Sequence, residues 1–351
     1  MNKSITSGIQ KNTMKYFLLA TMISGFSAIQ VAASPLLPNL KSNGHGHTQP
    51  AEAAAMLQRP ADSLDEVALV GRWDLNLVED GKTSPSWLEI DISGNHHLVG
   101  RYVGAGGSAR PISKITVTNH RMSFSIPPQW ESDTNDLVFE GGVQGDSLVG
   151  TVIGADGQKR NWSGHRAPLL KRSGTPVWDK PIKLFNGVNL EGWHPSGSEN
   201  QWVVENGVLV SPRSGSNLIS DKTFNDFKLH IEFKCPPESN SGVYLRGRYE
   251  VQIMDSKGQE PDSHLMGGIY GFITPNEMAA KSANEWQTYD ITLVGRLVTV
   301  VANGKEIITR QLIPGITGGA LDSNEGAPGP IQLQGDHKPI SYRNIIITPA
   351  K

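Results

Sequence analysis

The feature that most constrains this fold is a long series of short segments in which apolar and polar residues alternate. Glycine-rich turns separate the segments, which recur from about residue 66 to the end of the chain. A period of two marks half-buried β-strands, because successive side chains of a strand point to opposite faces. A helical period is confined to a short turn predicted at 276–282. The sequence therefore predicts an all-β protein.

The alternating segments fall into two groups, which predict two domains. Residues 66–167 carry about eight short segments, a number typical of a small antiparallel barrel or sandwich. A repeated Leu-Val-Gly step at 98–100 and 148–150 suits strands that bend to close a barrel. A proline-bearing connector follows at 168–179. Residues 180–351 carry about eleven further segments and predict a large two-sheet sandwich of the jelly-roll type.

The N-terminal residues predict export. Basic residues precede an apolar stretch at 16–31, and small residues stand just before Ser34, as expected for a cut after Ala33. This is the pattern of a signal peptide over residues 1–33, with a retained membrane anchor as the alternative. We therefore expect a secreted or periplasmic protein with no membrane span in the mature chain, and a linker over residues 34–65.

Composition excludes several classes of function. The formal net charge of −2 supplies no basic surface for a phosphate backbone, so nucleic acid is not an expected partner. The chain has one cysteine, Cys235, which excludes an internal disulfide, a cysteine-rich zinc site and a redox pair. Because Cys235 ends the alternating run 227–235, we expect a small buried hydrophobe there rather than a nucleophile.

The segment with the clearest candidate chemistry is Tyr-Glu-Val-Gln-Ile-Met-Asp at 249–255. In an extended chain its aliphatic residues face the core, which places Glu250 and Gln252 together on the opposite face. Asp255 then stands at the end of the strand. Two carboxyl groups and an amide would thus converge, which suits acid–base chemistry on a bound ligand.

The same alternation of side chains between two faces extends the predicted site to two preceding segments. Arg246 falls on one face of the segment before, and Glu232 lies opposite the aliphatic residues of 227–233. If these segments are neighbours in one sheet, a concave groove carries Glu232, Arg246, Glu250 and Gln252. The alternative is the ordinary outward polar face of a half-buried strand.

The loop after this segment carries oxygen donors and a histidine that could hold a divalent cation. Asp255, Glu260 and Asp262 suit Ca²⁺, and a site that includes His264 would suit Mn²⁺ or Zn²⁺. The spacing matches no standard metal-binding loop, so a plain polar lid is the alternative.

Nine motifs follow one another in the second region, at 184–193, 202–209, 227–233, 240–246, 249–253, 267–271, 285–289, 328–334 and 342–345. Together they resemble the 3-keto-disaccharide hydrolase domain family. The resemblance implies a concanavalin-like jelly-roll sandwich, frequent export by bacteria and a carbohydrate ligand. It also implies a hydrolase that acts on the glycosidic bond of 3-keto-disaccharides or related modified glycosides.

The resemblance implies a reaction by elimination and hydration. A ketone at C3 of a sugar acidifies the C2 proton, so a base can remove it while the C1 glycosidic oxygen leaves, and water then adds back. This needs a base, an acid and a donor for the enolate oxygen. We predict Glu250 as base or acid and Asp255 as its partner. His337 would be the second proton-transfer group, Arg246 would recognise the enolate, and Gln252 would orient the substrate.

Further substrate contacts are expected from residues within the motifs, namely Glu232, Tyr270, Gln334 and Trp193. Two other functions stay open. The spacing Glu-x-Gln-x-x-Asp resembles the Glu-x-Asp-x-x-Glu strand of laminarinase-type retaining glycosidases, with the middle acid changed to an amide. A non-catalytic carbohydrate-binding module is the second alternative, because concanavalin-like sheets serve both purposes.

Overall fold

The computed structural model describes residues 66–79, 81–131 and 134–351, and the predicted signal peptide and linker lie outside them. The described part holds one short helical turn, at 66–69, and no helix in that part has the length and apolar character needed to cross a membrane. The helical turn predicted at 276–282 does not form, because its first residue bonds to a strand of the sheet instead. Strands dominate, so the all-β prediction is confirmed.

Eight antiparallel strands form a closed barrel in the first part of the chain. They are β1 (Gly71–Glu79), β2 (Lys82–Ser93), β3 (His97–Val103), β4 (Arg110–Thr118), β5 (Arg121–Ile126), β6 (Leu137–Gln144), β7 (Ser147–Ile153) and β8 (Lys159–Arg166). Each strand pairs with the next, and β1 pairs with β8 to close the barrel. Alternate apolar side chains such as Trp73, Phe139 and Trp162 fill the interior.

The repeated Leu-Val-Gly step places a glycine at two points where neighbouring barrel strands approach closely, Gly100 and Gly150. A Cβ atom at Gly100 would lie 2.2 Å from the carbonyl oxygen of Glu89, and one at Gly150 would lie 2.0 Å from that of Glu140. The indole of Trp162 occupies the space next to Gly150. These positions therefore exclude any side chain, as expected for strands that curve around a packed interior.

The second part of the chain forms a sandwich of two sheets. Its strands are β9 (Ile182–Lys183), β10 (Trp193–Pro195), β11 (Val203–Glu205), β12 (Val208–Ser211), β13 (Leu218–Phe224), β14 (Phe227–Lys234), β15 (Asn240–Leu245), β16 (Tyr249–Met254), β17 (Gln287–Val294), β18 (Leu297–Ala302), β19 (Lys305–Leu312), β20 (Gly329–Leu333) and β21 (Ile340–Pro349). The smaller sheet has the order β10-β13-β20-β15-β16, and the larger has the order β11-β12-β21-β14-β17-β18-β19 with β9 beside β21. The two-sheet sandwich predicted from the sequence is confirmed.

The sandwich core lies between these sheets and contains the single cysteine. Phe233, Tyr289 and Tyr342 pack there with the aliphatic residues of both sheets. Cys235 is fully buried, as predicted, and burial raises the pKa of its thiol to about 11. The barrel strands end at Arg166 and the first sandwich strand begins at Ile182. The domain boundaries drawn from the sequence stay a prediction.

The barrel and the sandwich share a buried apolar interface. Trp87 of β2 belongs to the sandwich core, and its ring meets that of Phe272 edge to face, with centroids 5.3 Å apart. The backbone N–H of Gly319 donates to the carbonyl oxygen of Ala105 at 2.9 Å. Loops of the sandwich are therefore held against the loop that follows β3.

A cluster of buried charged groups lies within the same interface. The Glu325 carboxylate accepts a hydrogen bond from the Tyr249 hydroxyl at 2.7 Å and pairs with Arg296 at 2.7 Å. Asp74 of β1 is fully buried nearby. Burial and the negative charge of Glu325 raise the pKa of Asp74, which favours the protonated form of this carboxyl.

Candidate functional site

The strand β16 places a carboxyl group in a pocket of about 330 Å³. Val251 and Ile253 lie in the sandwich core, whereas Glu250 and Gln252 line the pocket. The alternation predicted for this strand is confirmed. The cavity is referred to below as the Glu250 pocket, and its lining residues are Ala105, Gly106, Gly107, Trp130, Asn240, Tyr244, Glu250, Gln252, Tyr270, Gly318, Gly319, Gln334, Asp336 and His337.

The barrel contributes one wall of this pocket. The loop after β3 supplies the three small residues 105–107, and Trp130 extends from the loop after β5 with 68% of its surface exposed. The sequence did not assign these residues to the site, because no local pattern shows which loop of one domain packs against the other. It identified Trp130 only as one of four tryptophans, with Trp73, Trp87 and Trp162, that could stack on a sugar or pack in the core or rim.

Glu250 sits deep in the pocket with only 3% of its surface exposed. Its Oε2 accepts a hydrogen bond from the Tyr244 hydroxyl at 2.9 Å. Burial raises the pKa of Glu250 to about 8; the Tyr244 hydrogen bond lowers it, and the negative charge of Asp336 raises it. A pKa close to neutrality lets this group both accept and release a proton during a reaction.

The Tyr244 hydroxyl has two acceptors within reach. It lies 2.9 Å from Glu250 Oε2 and 3.1 Å from the carbonyl oxygen of Gly318. Since a phenol carries one proton, it can donate to only one of them at a time. Burial also raises the pKa of Tyr244 well above its ordinary value, so the hydroxyl remains protonated. Tyr244 can therefore stabilise the ionised carboxylate and turn to Gly318 when Glu250 becomes protonated.

A second proton-transfer group lies at the exposed rim. His337 Nδ1 is 2.6 Å from Asp336 Oδ1, and both side chains remain about half exposed. The hydrogen bond to Asp336 raises the pKa of His337. The imidazolium form is thereby favoured, and His337 lines the same pocket as Glu250. Its role in proton transfer stays a prediction.

Three amide side chains in the pocket present buried oxygen atoms without a partner. Asn240 Oδ1, Gln252 Oε1 and Gln334 Oε1 accept no hydrogen bond from the described residues. The amide nitrogen of Gln252 donates to the carbonyl oxygen of His264 at 3.2 Å, which fixes that side chain. Buried polar atoms are rarely left unpaired, so water or the hydroxyl groups of a ligand are expected to satisfy these oxygens.

Arg246 does not reach the pocket, and the prediction that it lies there was wrong. The strand β15 ends at Leu245, and Arg246 adopts a left-handed backbone with φ of 53°, so the alternation stops before it. Its side chain is fully buried, and Nη2 donates to the Tyr249 hydroxyl at 3.0 Å and to the carbonyl oxygen of Gly295 at 2.9 Å. Arg246 supports the turn beneath the site.

The predicted groove also fails for Glu232, because β14 belongs to the other sheet. That strand pairs with β17 and β21, whereas β16 pairs with β15. Glu232 instead bonds to Arg343 Nε and Asn344 Nδ2, each at 2.6 Å. Trp193 is likewise outside the pocket. It is buried in the core, and its indole N–H donates to the carbonyl oxygen of Leu184 at 2.8 Å.

The acidic loop after β16 does not assemble a metal site. Asp255 lies outside the Glu250 pocket and accepts a hydrogen bond from the backbone N–H of Glu238 at 3.2 Å. Asp262 bonds to His264 Nδ1 at 2.7 Å, and Glu260 joins neither of them. Within 66–79, 81–131 and 134–351, no three His, Cys, Asp or Glu side chains are grouped as ion ligands.

Tyr270 and Gln334 do line the pocket, as predicted. Tyr244 and Asp336 were not predicted as site residues. Strand register explains the position of Tyr244, which stands opposite Glu250 in the β15–β16 pair. Asp336 could have been found from its place directly before His337.

Comparison with known proteins agrees with the resemblance seen in the sequence. Residues 180–348 match the model of the 3-keto-alpha-glucoside-1,2-lyase-like domain family. A 3-keto-disaccharide hydrolase of Bacteroides thetaiotaomicron is 27% identical over 94 residues, which is 23% of this chain and 32% of that protein. The match thus spans about a third of the relative's length. The resemblance is confirmed for this part of the chain.

The solved structures that match part of this chain include two proposed glycosyl hydrolases of Parabacteroides distasonis. The first is 26% identical, with coverage of 52% of this chain and 96% of that chain and a TM-score of 0.41. The second is 25% identical, with coverage of 48% of this chain and 98% of that chain and a TM-score of 0.39.

Proposed function

We propose that this chain, whose residues 180–348 match the lyase-like family, cleaves the glycosidic bond of 3-keto-glycosides in the Glu250 pocket. The observation that carries the proposal is the buried Glu250 carboxyl, whose pKa of about 8 suits proton abstraction. The family description refers to a lyase and the relative's name to a hydrolase. Elimination followed by addition of water accounts for both terms.

The first step uses Glu250 as the base. The C3 ketone withdraws electrons from C2, so the ionised Glu250 carboxylate takes the C2 proton and the electron pair of that C–H bond becomes an enolate. Tyr244 stabilises the carboxylate by its hydrogen bond before the transfer. After the transfer its hydroxyl proton is free to turn to the carbonyl oxygen of Gly318.

The second step expels the leaving group. The enolate electron pair forms the C1–C2 double bond as the bond from C1 to the glycosidic oxygen breaks, and that oxygen takes a proton from the His337 imidazolium. Asp336 favours the protonated imidazole through its hydrogen bond. In the addition of water, Glu250 returns its proton to C2, the hydroxide of a water molecule adds to C1, and His337 takes the remaining proton of that water. This restores both side chains and the 3-keto sugar.

Neutral amides replace the arginine expected from the sequence as partners of the sugar oxygens. No arginine lines the Glu250 pocket in the described part of the chain. Amide N–H groups can donate to the enolate oxygen, and the unpaired oxygens of Asn240, Gln252 and Gln334 can accept hydrogen bonds from sugar hydroxyls.

A retaining glycosidase fits this geometry less well. That mechanism requires two carboxyl groups about 5 Å apart across the scissile bond. Asp255, the second acid of the Glu-x-Gln-x-x-Asp run, lies outside the pocket, and the pocket's other carboxylate, Asp336, is engaged with His337. We place the activity outside the cytoplasm, on the signal-peptide pattern of residues 1–33.

The test compares two substitutions, each of which replaces a carboxyl group by an amide of nearly the same shape. We expect Glu250→Gln to lower kcat for a 3-keto-disaccharide by about 10² to 10⁴-fold, the usual contribution of a general base, with binding retained. Asp255→Asn, outside the pocket, should leave kcat unchanged. Unaltered turnover by Glu250→Gln would remove Glu250 from the mechanism. Binding of the sugar by the wild type without product would favour the carbohydrate-binding module.

A further inference from the structure

A second cavity, of about 390 Å³, opens at the mouth of the barrel. We refer to it as the barrel mouth. Side chains from several strands give it an apolar lining, contributed by Leu77, Tyr102, Leu137, Val152 and Ala155. Such a surface favours an apolar ligand, because burial of apolar area drives binding. Five charged residues also line the cavity, namely Glu79, Arg110, Glu131, Asp156 and Arg160.

The charged groups around the barrel mouth are already paired with one another. Arg160 Nε donates to Glu79 at 2.8 Å, and Arg160 Nη1 donates to Asp156 at 2.8 Å. Arg110 pairs with Glu131 at 3.2 Å. This differs from the Glu250 pocket, where amide oxygens lack partners. Among the described residues that line the barrel mouth, one buried side-chain atom lacks a partner, Arg110 Nε, against three amide oxygens in the Glu250 pocket.

The two cavities are adjacent and share one wall. Ala105, Gly106 and Trp130 line both the barrel mouth and the Glu250 pocket. The loop between the cavities is fixed to the sandwich by the hydrogen bond from Gly319 to Ala105. The Trp130 indole covers this loop, since a Cβ atom at Gly107 would lie 2.2 Å from it. A ligand bound at Glu250 therefore lies close to the barrel mouth, with Trp130 at the wall that the two cavities share.

Trp130 is held in this position by its neighbours. The Glu131 carboxylate accepts hydrogen bonds from the backbone N–H groups of Gln129 and Trp130 at 2.6 and 3.1 Å. The Gln129 side chain bonds in turn to Ser108 of the loop after β3. An exposed indole fixed between two cavities offers a flat stacking surface for a ring that passes from one to the other.

We propose that the barrel mouth binds the aglycone of the same glycoside whose sugar occupies the Glu250 pocket, and that this aglycone is a flat, apolar, aromatic group. The inference rests on the proposed function. It gives the barrel a role in substrate selection, since the leaving group would dock in a domain outside the matched segment 180–348.

The experiment uses two substitutions on adjacent residues of β1. Leu77 is half-buried and lines the barrel mouth, whereas Val78 is 42% exposed and faces outward. Leu77→Trp fills the mouth, and Val78→Trp adds the same side chain on the outer face. The substrates are the 4-nitrophenyl and methyl 3-keto-glucosides. Each variant is compared with the wild type on the same substrate, so the intrinsic difference between leaving groups cancels.

We expect Leu77→Trp to lower kcat/KM about tenfold for the nitrophenyl substrate and less than about twofold for the methyl substrate. Val78→Trp should change neither. An equal effect of Leu77→Trp on both substrates, or no effect on either, would overturn the proposal.

A binding measurement separates this inference from the proposed function. Calorimetric titration with 4-nitrophenol should show binding to the wild type and to Val78→Trp, and at least about tenfold weaker binding to Leu77→Trp. Absence of binding to the wild type would overturn the aglycone site, even with both substrates turned over. Absence of turnover with Leu77-dependent binding would refute the proposed reaction and support the site.

Discussion

The position of the Glu250 carboxyl depends on a glycine in the neighbouring strand. Gly242 of β15 stands opposite Gln252 of β16. A Cβ atom at Gly242 would lie 2.2 Å from Glu250 Oε1 and 2.9 Å from Cδ. Restoring ordinary contact requires the carboxyl to move by about 1.2 Å, since that contact begins at 3.4 Å. The substitution Gly242→Ala is therefore a way to displace the proposed base without removing it.

The expected cost follows from this displacement. Misplacement of a reacting group by about 1 Å costs about 10²-fold in rate, which corresponds to about 2.7 kcal/mol in the activation free energy. Overpacking of a well-packed position destabilises a protein by about 1 to 3 kcal/mol. We expect Gly242→Ala to lower kcat about 100-fold while the protein still folds.

The assay combines steady-state turnover of a 3-keto-disaccharide with thermal unfolding of the same samples. Gly326→Ala is the matched control, because a Cβ atom there meets nothing closer than 3.7 Å and the residue lies outside the Glu250 pocket. A folded Gly242→Ala variant with the kcat of the wild type would refute the requirement for a correctly placed carboxyl.

Further predictions concern pH. The kcat/KM profile should show an ionisation near pH 8 from Glu250. Tyr244→Phe removes a hydrogen bond that lowers this pKa, so the ionisation should move to higher pH; Asp336→Asn removes a negative charge that raises it, so the ionisation should move to lower pH. Shifts in the same direction for both variants would contradict the assignment. Asp74 has its pKa raised from 3.8 to about 9, so the folded state holds a proton that the unfolded chain releases, and stability should fall as pH rises between these values. Asp74→Asn should be more stable than the wild type at pH 8 and less sensitive to pH, as measured by urea unfolding at pH 6 and 8. Equal pH dependence of the two proteins would show that Asp74 is ionised when folded.

The sequence was informative wherever a local period decides the structure. The alternation along 249–254 placed Glu250 and Gln252 on one face, and the strand confirms it because a one-residue shift would bury both polar groups in the core. The glycine-rich turns between the segments likewise predicted a small barrel or sandwich as the first domain, and at Gly100 and Gly150 of the barrel a side chain would clash with the neighbouring strand.

The sequence was uninformative about which strands and loops become neighbours. Glu232 alternates with the core-facing residues of its strand, as predicted, but that strand belongs to the other sheet. Strand order in a sandwich depends on long-range pairing, which alternation does not show. Arg246 was misplaced because the chain leaves β15 one residue earlier and turns with a positive φ. Trp130 reaches the Glu250 pocket only through packing of the barrel on the sandwich, which no local pattern encodes.

Removal of the C2 proton in the Glu250 pocket can be measured directly. Single-turnover rates of the wild-type protein are compared for a 3-keto-glucoside that carries protium at C2 and for one that carries deuterium there. We expect slower cleavage of the deuterated substrate, because the C2 bond breaks before the leaving group departs. Equal rates, with the C2 deuterium fully retained in the product, would contradict elimination and with it the role of Glu250 as base.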